Sequence, residues 1–210
     1  MYFELQSTFM KKDKDYIQDI AEIRNMMERS SKFLSLSGWA GIMAGLYALA
    51  GIYVAVIFWE FRPDSFDYYT RYDNELLLLA SAVLLVALVT AVFFSFKKAS
   101  KSKEKIWNST TKRLLLNLAV PLVSGGIVIL VLMLNDLHAL LIPLSLVFYG
   151  LALYSGSKFT LDEVRVLGLS QLALGLLAIL FISQSIYFWA IGFGLVHIIY
   201  GIYMHIRYEQ

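Results

Sequence analysis

The segment Ile23–Gly51 reads IRNMMERSSKFLSLSGWAGIMAGLYALAG, and it changes from charged to apolar near residue 33 without a proline or glycine before Gly38. Upstream of that change, residues at alternating spacings of four and three share one helix face: Tyr16, Ile20, Ile23, Met27, Ser30 and Leu34. The pattern predicts a cytoplasmic amphipathic helix in residues 1–32. We expect it to enter the membrane either unbroken or with a soft joint near Ser30–Ser31.

The apolar stripe of this N-terminal helix is narrow, and acids are mixed with its bases, so anionic lipid would attract it only weakly. Protein is the expected partner. Three interpretations stay open: the stripe covers the protein's own cytoplasmic loops, joins two copies in a homo-oligomer, or docks a separate protein.

Composition sets the class of the protein, because apolar residues make up 59% of the chain and charged residues only 16%. A transmembrane helix needs about 20 apolar residues to cross about 30 Å of hydrocarbon. Residues 33–210 are therefore predicted to form an all-α integral membrane domain of six transmembrane helices in the lipid bilayer. The predicted spans are 33–59, 75–96, 114–134, 139–157, 164–183 and 186–205. No segment outside them is long enough to bury a soluble catalytic core.

Orientation follows from lysine and arginine, which stay on the cytoplasmic side during insertion. Of the 18 such residues, only Arg62 and Arg71 fall in the loops predicted to lie outside. Both termini are thus expected in the cytoplasm, with a bacterial inner (plasma) membrane as the location. The basic loop from Lys97 to Arg113 is explained by topology and predicts no nucleic-acid partner. The glycosylation pattern at Asn108 would lie on the wrong side of the membrane.

Glycine spacing predicts how the spans pack. Gly38, Gly41 and Gly45 lie at i, i+3 and i+7 in the first span, which leaves a groove that another backbone can approach closely. Gly168 and Gly175 repeat this spacing in the fifth span. FYGLALYSG in the fourth span similarly matches GFGLVHIIYG in the sixth. We interpret these matches as three helical hairpins arranged as parallel repeats.

Two resemblances bear on the class. The runs IRNMMERSSKFLSLSGWAGIMAGLYAL, GSKFTLDEVRVLGLSQLALGLL and FGLVHIIYGIYMHIRYE resemble signature segments of a family of uncharacterised bacterial six-span membrane proteins. That resemblance covers essentially the whole chain and implies no known activity. The helix count and glycine rhythm are more distantly similar to the HdeD-like acid-resistance membrane proteins, which implies a stress-related role without catalytic chemistry.

Few residues inside the spans could carry chemistry. His197 shares a helix face with Gly194 and Gly201, so it is expected to face a neighbouring helix. Gln171 and Asn117 are also costly to leave unpaired in hydrocarbon. We predict that the fifth and sixth spans are neighbours joined through Gln171 and His197, directly or by water. For His197, a structural hydrogen bond, a proton-responsive or substrate-contacting role, and an axial haem ligand all stay open, although no cofactor is expected.

Two further patterns concern helix geometry. In the third span, Pro121 removes one helical hydrogen bond, and Gly125 and Gly126 weaken the following turn. This favours either a simple kink or the broken helix of a transporter. Thr160 has the spacing of a capping box ahead of the fifth span, so we expect its side chain to cap that helix.

The sequence contains no catalytic triad pattern, metal-ligand cluster, nucleotide-binding loop or intramembrane acid pair, so no enzyme or metal site is predicted. The favoured interpretation is a non-enzymatic inner-membrane protein, a stress-linked sensor or accessory protein that acts through self-association or a partner. The alternative is a small-solute transporter or channel that uses the kinked third span and the polar face of spans five and six.

Overall fold

The computed structural model describes residues 32–33, 35–59, 66–101 and 107–209, with the backbone alone for 66–73. These residues contain six helical segments long and apolar enough to cross a membrane, and no strand. The predicted all-α six-span class is therefore confirmed. Apart from Lys32, the predicted N-terminal amphipathic helix and its protein partner lie outside the described residues.

Five of the spans are single helices: α1 (Gly38–Trp59), α2 (Phe66–Lys101), α3 (Ser109–Leu134), α4 (Leu141–Gly156) and α5 (Asp162–Leu180). The sixth span is composite. It consists of a short helix α6 (Ser185–Trp189), a π-helical segment (Ala190–Val196) and helix α7 (His197–Tyr208). Single 3-10 turns at His138–Leu140, Ser157–Phe159 and Ile182–Gln184 lie between consecutive helices.

The first span begins later than the sequence predicts. Residues 35–37 are not helical, and α1 starts at Gly38. Phe33 is instead held by the α4–α5 turn, because its N–H donates to Phe159 O at 2.7 Å and its carbonyl accepts Thr160 Oγ1 at 2.7 Å. Backbone groups used in this way cannot form helical hydrogen bonds. The interpretation of one unbroken helix is therefore wrong.

Close glycine contacts hold the bundle together in two places. In α1, a side chain on Gly45 would lie 2.6 Å from Gly194 O, and Gly38 and Gly41 lie against Gly201 of α7. In α5, a side chain on Gly168 would lie 2.9 Å from Gly150 O of α4. Because neither partner has a Cβ at these points, the backbones meet directly.

The packing order is α2, α1, sixth span, α5, α4, α3, so α2 and α3 lie at the two ends. The glycine faces of α1 and α5 each lie against an even-numbered span. In the described residues, α2 and α3 form no comparable close pair. The arrangement as three parallel hairpin repeats stays an interpretation.

The third span is one continuous α-helix over Ser109–Leu134 that includes Pro121. Asn108 caps it, since Asn108 Oδ1 accepts the backbone N–H of Thr111 at 2.8 Å. Gly125 lies against the Phe148 ring of α4, whereas a side chain on Gly126 would meet nothing within 4 Å. The broken helix expected of a transporter is absent from this span, and the helical irregularity lies in the sixth span instead.

The glycine contacts predict a selective effect of added methyl groups. In Gly201→Ala, the new Cβ would lie 2.5 Å from Gly38 O and 2.5 Å from Ile42 N, both backbone atoms. We expect a loss of about 1–3 kcal/mol, the usual cost of overpacking, seen as a lower thermal unfolding temperature in detergent. The control Gly126→Ala should keep or raise that temperature. Equal unfolding temperatures for the two variants would contradict this packing.

Candidate functional site

In the middle of the sixth span, the backbone of Ala190–Val196 is π-helical. Such segments are rare and often occur at functional sites. At its end, the backbone N–H of His197 donates to Gly194 O.

Two side chains converge on the Gly192 carbonyl. Gln171 Nε2 of α5 donates to it at 2.7 Å, and His197 Nδ1 donates to it at 2.9 Å. A carbonyl oxygen only accepts, so Nδ1 carries the proton of the neutral imidazole. His197 Nε2 then has a free lone pair, which accepts the hydroxyl proton of Tyr149 in α4 at 2.9 Å. The cluster of Tyr149, Gln171, Gly192 and His197, here called the carbonyl cluster, therefore links three spans.

The structure brings the predicted pair Gln171 and His197 together. Their nitrogens Nε2 and Nδ1 are 3.5 Å apart. Each nitrogen donates a proton to the oxygen of Gly192, so neither nitrogen accepts a hydrogen bond from the other. The two side chains are thus joined through Gly192 O. Both are buried, with 0% of Gln171 and 4% of His197 exposed.

One polar atom in the carbonyl cluster lacks a partner. Gln171 Oε1 is buried and accepts no hydrogen bond from the described residues. It lies directly over Gly192, where an added Cβ would be 2.6 Å from Oε1 and 2.7 Å from Leu146 Cδ2. Position 192 therefore requires glycine, because a larger residue would displace the glutamine that holds the carbonyl.

Aromatic rings close one side of the carbonyl cluster. The Phe193 ring stacks on the His197 ring with centroids 5.8 Å apart, and it lies 4.9 Å from the Tyr149 ring and 4.7 Å from the Trp189 ring. These contacts fix the plane of the imidazole and cover it with apolar surface. The ring is thus oriented by packing as well as by its two hydrogen bonds.

Asn117, the third candidate polar residue within the spans, does not join this cluster. Its side-chain Nδ2 donates to Arg113 O, one turn earlier in α3, at 2.8 Å. The amide is thus satisfied by its own helix, which removes the need for an interhelical partner. Among the predicted site glycines, Gly194 lies against Leu49 of α1, and Gly175 lies against Val147 of α4.

A second polar cluster lies at the end of the bundle where α1 begins and α7 ends, here called the termini end. Glu209 Oε1 accepts the N–H of Gly38 at 2.9 Å and lies 3.6 Å from Lys98 Nζ, while Oε2 contacts His205 Nδ1 at 2.8 Å. Lys98 also donates to Leu36 O at 2.6 Å. One carboxylate thus joins spans one, two and six and caps α1 at its positive end.

The pKa of Glu209 is lowered from its usual value. Burial alone would raise it, but hydrogen bonds from His205, Ser37 and the Gly38 amide, together with the charge of Lys98, outweigh that effect. The ionised form is therefore favoured in the folded protein.

The predicted cap at Thr160 is wrong. Helix α5 begins at Asp162 with Leu161 at the N-cap position and no side-chain cap. Thr160 Oγ1 instead donates to Phe33 O and fixes residues ahead of α1. Glu163 in the first turn of α5 accepts the Tyr208 hydroxyl at 2.7 Å and lies 3.2 Å from Arg207. Helix α5 is thus tied to both ends of the described chain.

Sequence reasoning missed Tyr149 and Gly192. The spacing of five between Gly192 and His197 is not an α-helical spacing, so the two residues appear on different faces when the span is read as an α-helix. Tyr149 resembles an ordinary interface aromatic in an apolar run. The only available signal was the density of glycine in GFGLVHIIYG, which indicates close approach but not π geometry.

Comparison of the chain with protein-family models, with curated proteins and with solved structures finds no match. The resemblances drawn from the sequence therefore stay expectations. Within the described residues, no group of three His, Cys, Asp or Glu side chains is arranged to hold a metal ion.

The hydrogen bonds of the carbonyl cluster predict unequal effects of two conservative changes. Tyr149→Phe leaves His197 Nε2 buried without a donor and should cost about 1–3 kcal/mol. Gln171→Met removes one of two donors to Gly192 O but also removes the unpartnered Oε1, so its cost should be under about 1 kcal/mol. Equilibrium unfolding in mixed micelles measures both. A larger loss for Gln171→Met than for Tyr149→Phe would contradict the assigned donors.

The lowered pKa of Glu209 predicts acid-dependent stability. The ionised carboxylate stabilises the folded protein at pH values above the ordinary pKa of glutamate. This stabilisation is lost as the pH falls through the lowered pKa of Glu209. Glu209→Gln should therefore destabilise the protein at neutral pH by on the order of 1–2 kcal/mol. The difference from the parent protein should disappear in acid.

The matched control for Glu209→Gln is Asp162→Asn. Asp162 is exposed and paired with Lys32 at 3.3 Å, and such surface pairs contribute little. It should change stability little at any pH. A pH-independent effect of Glu209→Gln would argue against an ionised cap.

Proposed function

We propose that this protein is a non-enzymatic inner-membrane protein, a sensor or accessory protein that acts through self-association or a protein partner, with both termini in the cytoplasm. The observation that supports this most is the closed state of the carbonyl cluster. His197 uses both ring nitrogens, and the Tyr149 hydroxyl donates to one of them. Neither group is free to act on a substrate.

Catalysis would require a nucleophile, base or metal site with an open position beside it. The described part of the chain offers no such metal-binding group. His197 Nε2, the atom that an axial haem ligand would use, accepts from Tyr149 at 2.9 Å instead. These contacts support a structural role for the histidine over catalysis or haem binding.

The termini end supports a role in protein contacts. Phe33 is held by hydrogen bonds with the α4–α5 turn, and Leu36 accepts one from Lys98. The chain just before α1 is therefore fixed to the bundle. We infer that the residues ahead of it serve as an interaction element.

A second candidate function is transport of a small solute, and one observation favours it. The π-helical segment and the unpartnered Gln171 Oε1 lie together in the bundle interior, and both features are common where helices move or ligands bind. The moving element would then be the sixth span, since α3 is continuous. This candidate requires water to reach the carbonyl cluster.

Water access separates the two candidates, and the absence of cysteine makes the parent chain a clean background for labelling. Leu174 lies beside Gly192. The accessory function predicts that Leu174→Cys resists a charged, membrane-impermeant thiol reagent in the native membrane and reacts only after denaturation. The control Asn135→Cys, at an exposed turn after α3, should react readily. Rapid labelling of Leu174→Cys in the folded protein would favour transport instead.

A further inference from the structure

Some charged groups at the termini end are paired and others are not. The three described acids at this end each contact a base: Asp162 contacts Lys32, Glu163 contacts Arg207, and Glu209 contacts Lys98. Around the starts of α3 and α5 and the turn after α4, four exposed bases have no ion pair with any described acid: Lys112, Arg113, Lys158 and Arg165.

These four bases lie on elements that touch one another. A side chain on Gly156, two residues before Lys158, would lie 3.1 Å from Leu114, the neighbour of Arg113. Arg165 of α5 lies over the Tyr154 ring of α4 at 5.6 Å, and Lys112 lies over the Trp107 ring at 5.8 Å. We call this surface, made of Trp107, Lys112, Arg113, Tyr154, Lys158 and Arg165, the basic rim.

The basic rim has the chemistry of a membrane interface. Tryptophan and tyrosine concentrate at the headgroup level of a bilayer, and Trp107 is 67% exposed. Directly deeper along α3, Leu116 is also 67% exposed and presents apolar surface to hydrocarbon. A ligand that matches both the basic rim and this apolar surface has an anionic headgroup against the bases and an acyl chain along α3.

Among the described residues, no acid is paired with a base of the basic rim. Asp162 and Glu163 are the described acids nearest to it in sequence, and they are engaged by Lys32 and by Arg207 with Tyr208. Lys112 and Arg113 also follow a first helical turn that contains no acid, and positive charge near a helix start is unfavourable without an anion. An external anion would reduce both the mutual repulsion of the bases and their unfavourable interaction with the dipole of α3.

We propose that the basic rim binds the headgroup of an anionic phospholipid, such as phosphatidylglycerol, in the leaflet at the termini end. Each base near such a surface contributes about fivefold to the binding constant. The bases at the same end that are paired with a described acid, Lys32, Lys98 and Arg207, should show no such preference.

Tryptophan fluorescence can test this, because two tryptophans lie in different charge environments. Trp107 belongs to the basic rim, and Trp39 lies against His205, which contacts the carboxylate of Glu209. Variants that keep only one tryptophan, with phenylalanine at the other positions, are reconstituted in phosphatidylcholine vesicles that contain a small fraction of phosphatidylglycerol with brominated chains. The quenching of Trp107 should correspond to a local fraction of brominated lipid at least about fivefold above the fraction in the bulk bilayer. Trp39 should be quenched as the bulk fraction predicts.

Substitutions then assign the enrichment to the bases. Lys112→Gln with Arg113→Gln should reduce quenching of Trp107 to the bulk level, and Lys158→Gln with Arg165→Gln provides an independent pair. The matched control, Lys32→Gln with Arg207→Gln, removes the same charge from bases that are paired with acids and should leave quenching unchanged. Unfolding temperature verifies that each variant is folded.

Three outcomes would overturn the proposal. The first is equal quenching of Trp39 and Trp107, which would show general attraction to the basic end of the protein. The second is unchanged quenching when both pairs of rim bases are neutralised. The third is loss of quenching on addition of inorganic phosphate at matched ionic strength, which would identify a free-anion site. Retained quenching with phosphate and loss with the rim variants would support the lipid site.

Discussion

The structure depends on how one carbonyl in the hydrocarbon is satisfied. Backbone polar groups at that depth have no water to bind, so the protein must supply their partners. At Gly192, inside the π-helical segment, the partners are Gln171 Nε2 and His197 Nδ1. That requirement fixes the tautomer of His197, the contact to Tyr149 and the absence of a side chain at position 192. Three spans are thereby held in one register.

Around this cluster, glycine faces bring helices together and charges fix their ends. Gly45 of α1 meets Gly194, and Gly168 of α5 meets Gly150. The backbone of α1 therefore contacts the backbone of the sixth span, and the backbone of α5 contacts that of α4. Glu209 then ties the start of α1 to the ends of α2 and α7. The described bases at the starts of α3 and α5 and in the turn after α4 have no such described acid. Paired and unpaired charge therefore lie in different parts of this end.

Much of the fold could be predicted because crossing a bilayer requires length and apolarity, which a single sequence displays directly. The proximity of Gln171 and His197 could be predicted because polar groups in hydrocarbon must find partners. What could not be predicted depends on geometry outside the α-helical period. Gly192 lies five residues from His197, and the Thr160 hydroxyl bonds a residue 127 positions away instead of its own helix. The joint before Gly38 likewise follows from tertiary hydrogen bonds that no local pattern encodes.

The most direct test of this account is the protonation of the His197 ring. Nitrogen-15 NMR of the histidine-labelled protein in detergent, with the resonances assigned by comparison with His197→Gln, reports which ring nitrogen carries the proton. We expect a neutral ring at neutral pH with the proton on Nδ1 and a bare Nε2 that accepts a hydrogen bond. A proton on Nε2, or a doubly protonated ring at neutral pH, would contradict the shared-carbonyl arrangement and the closed cluster built on it.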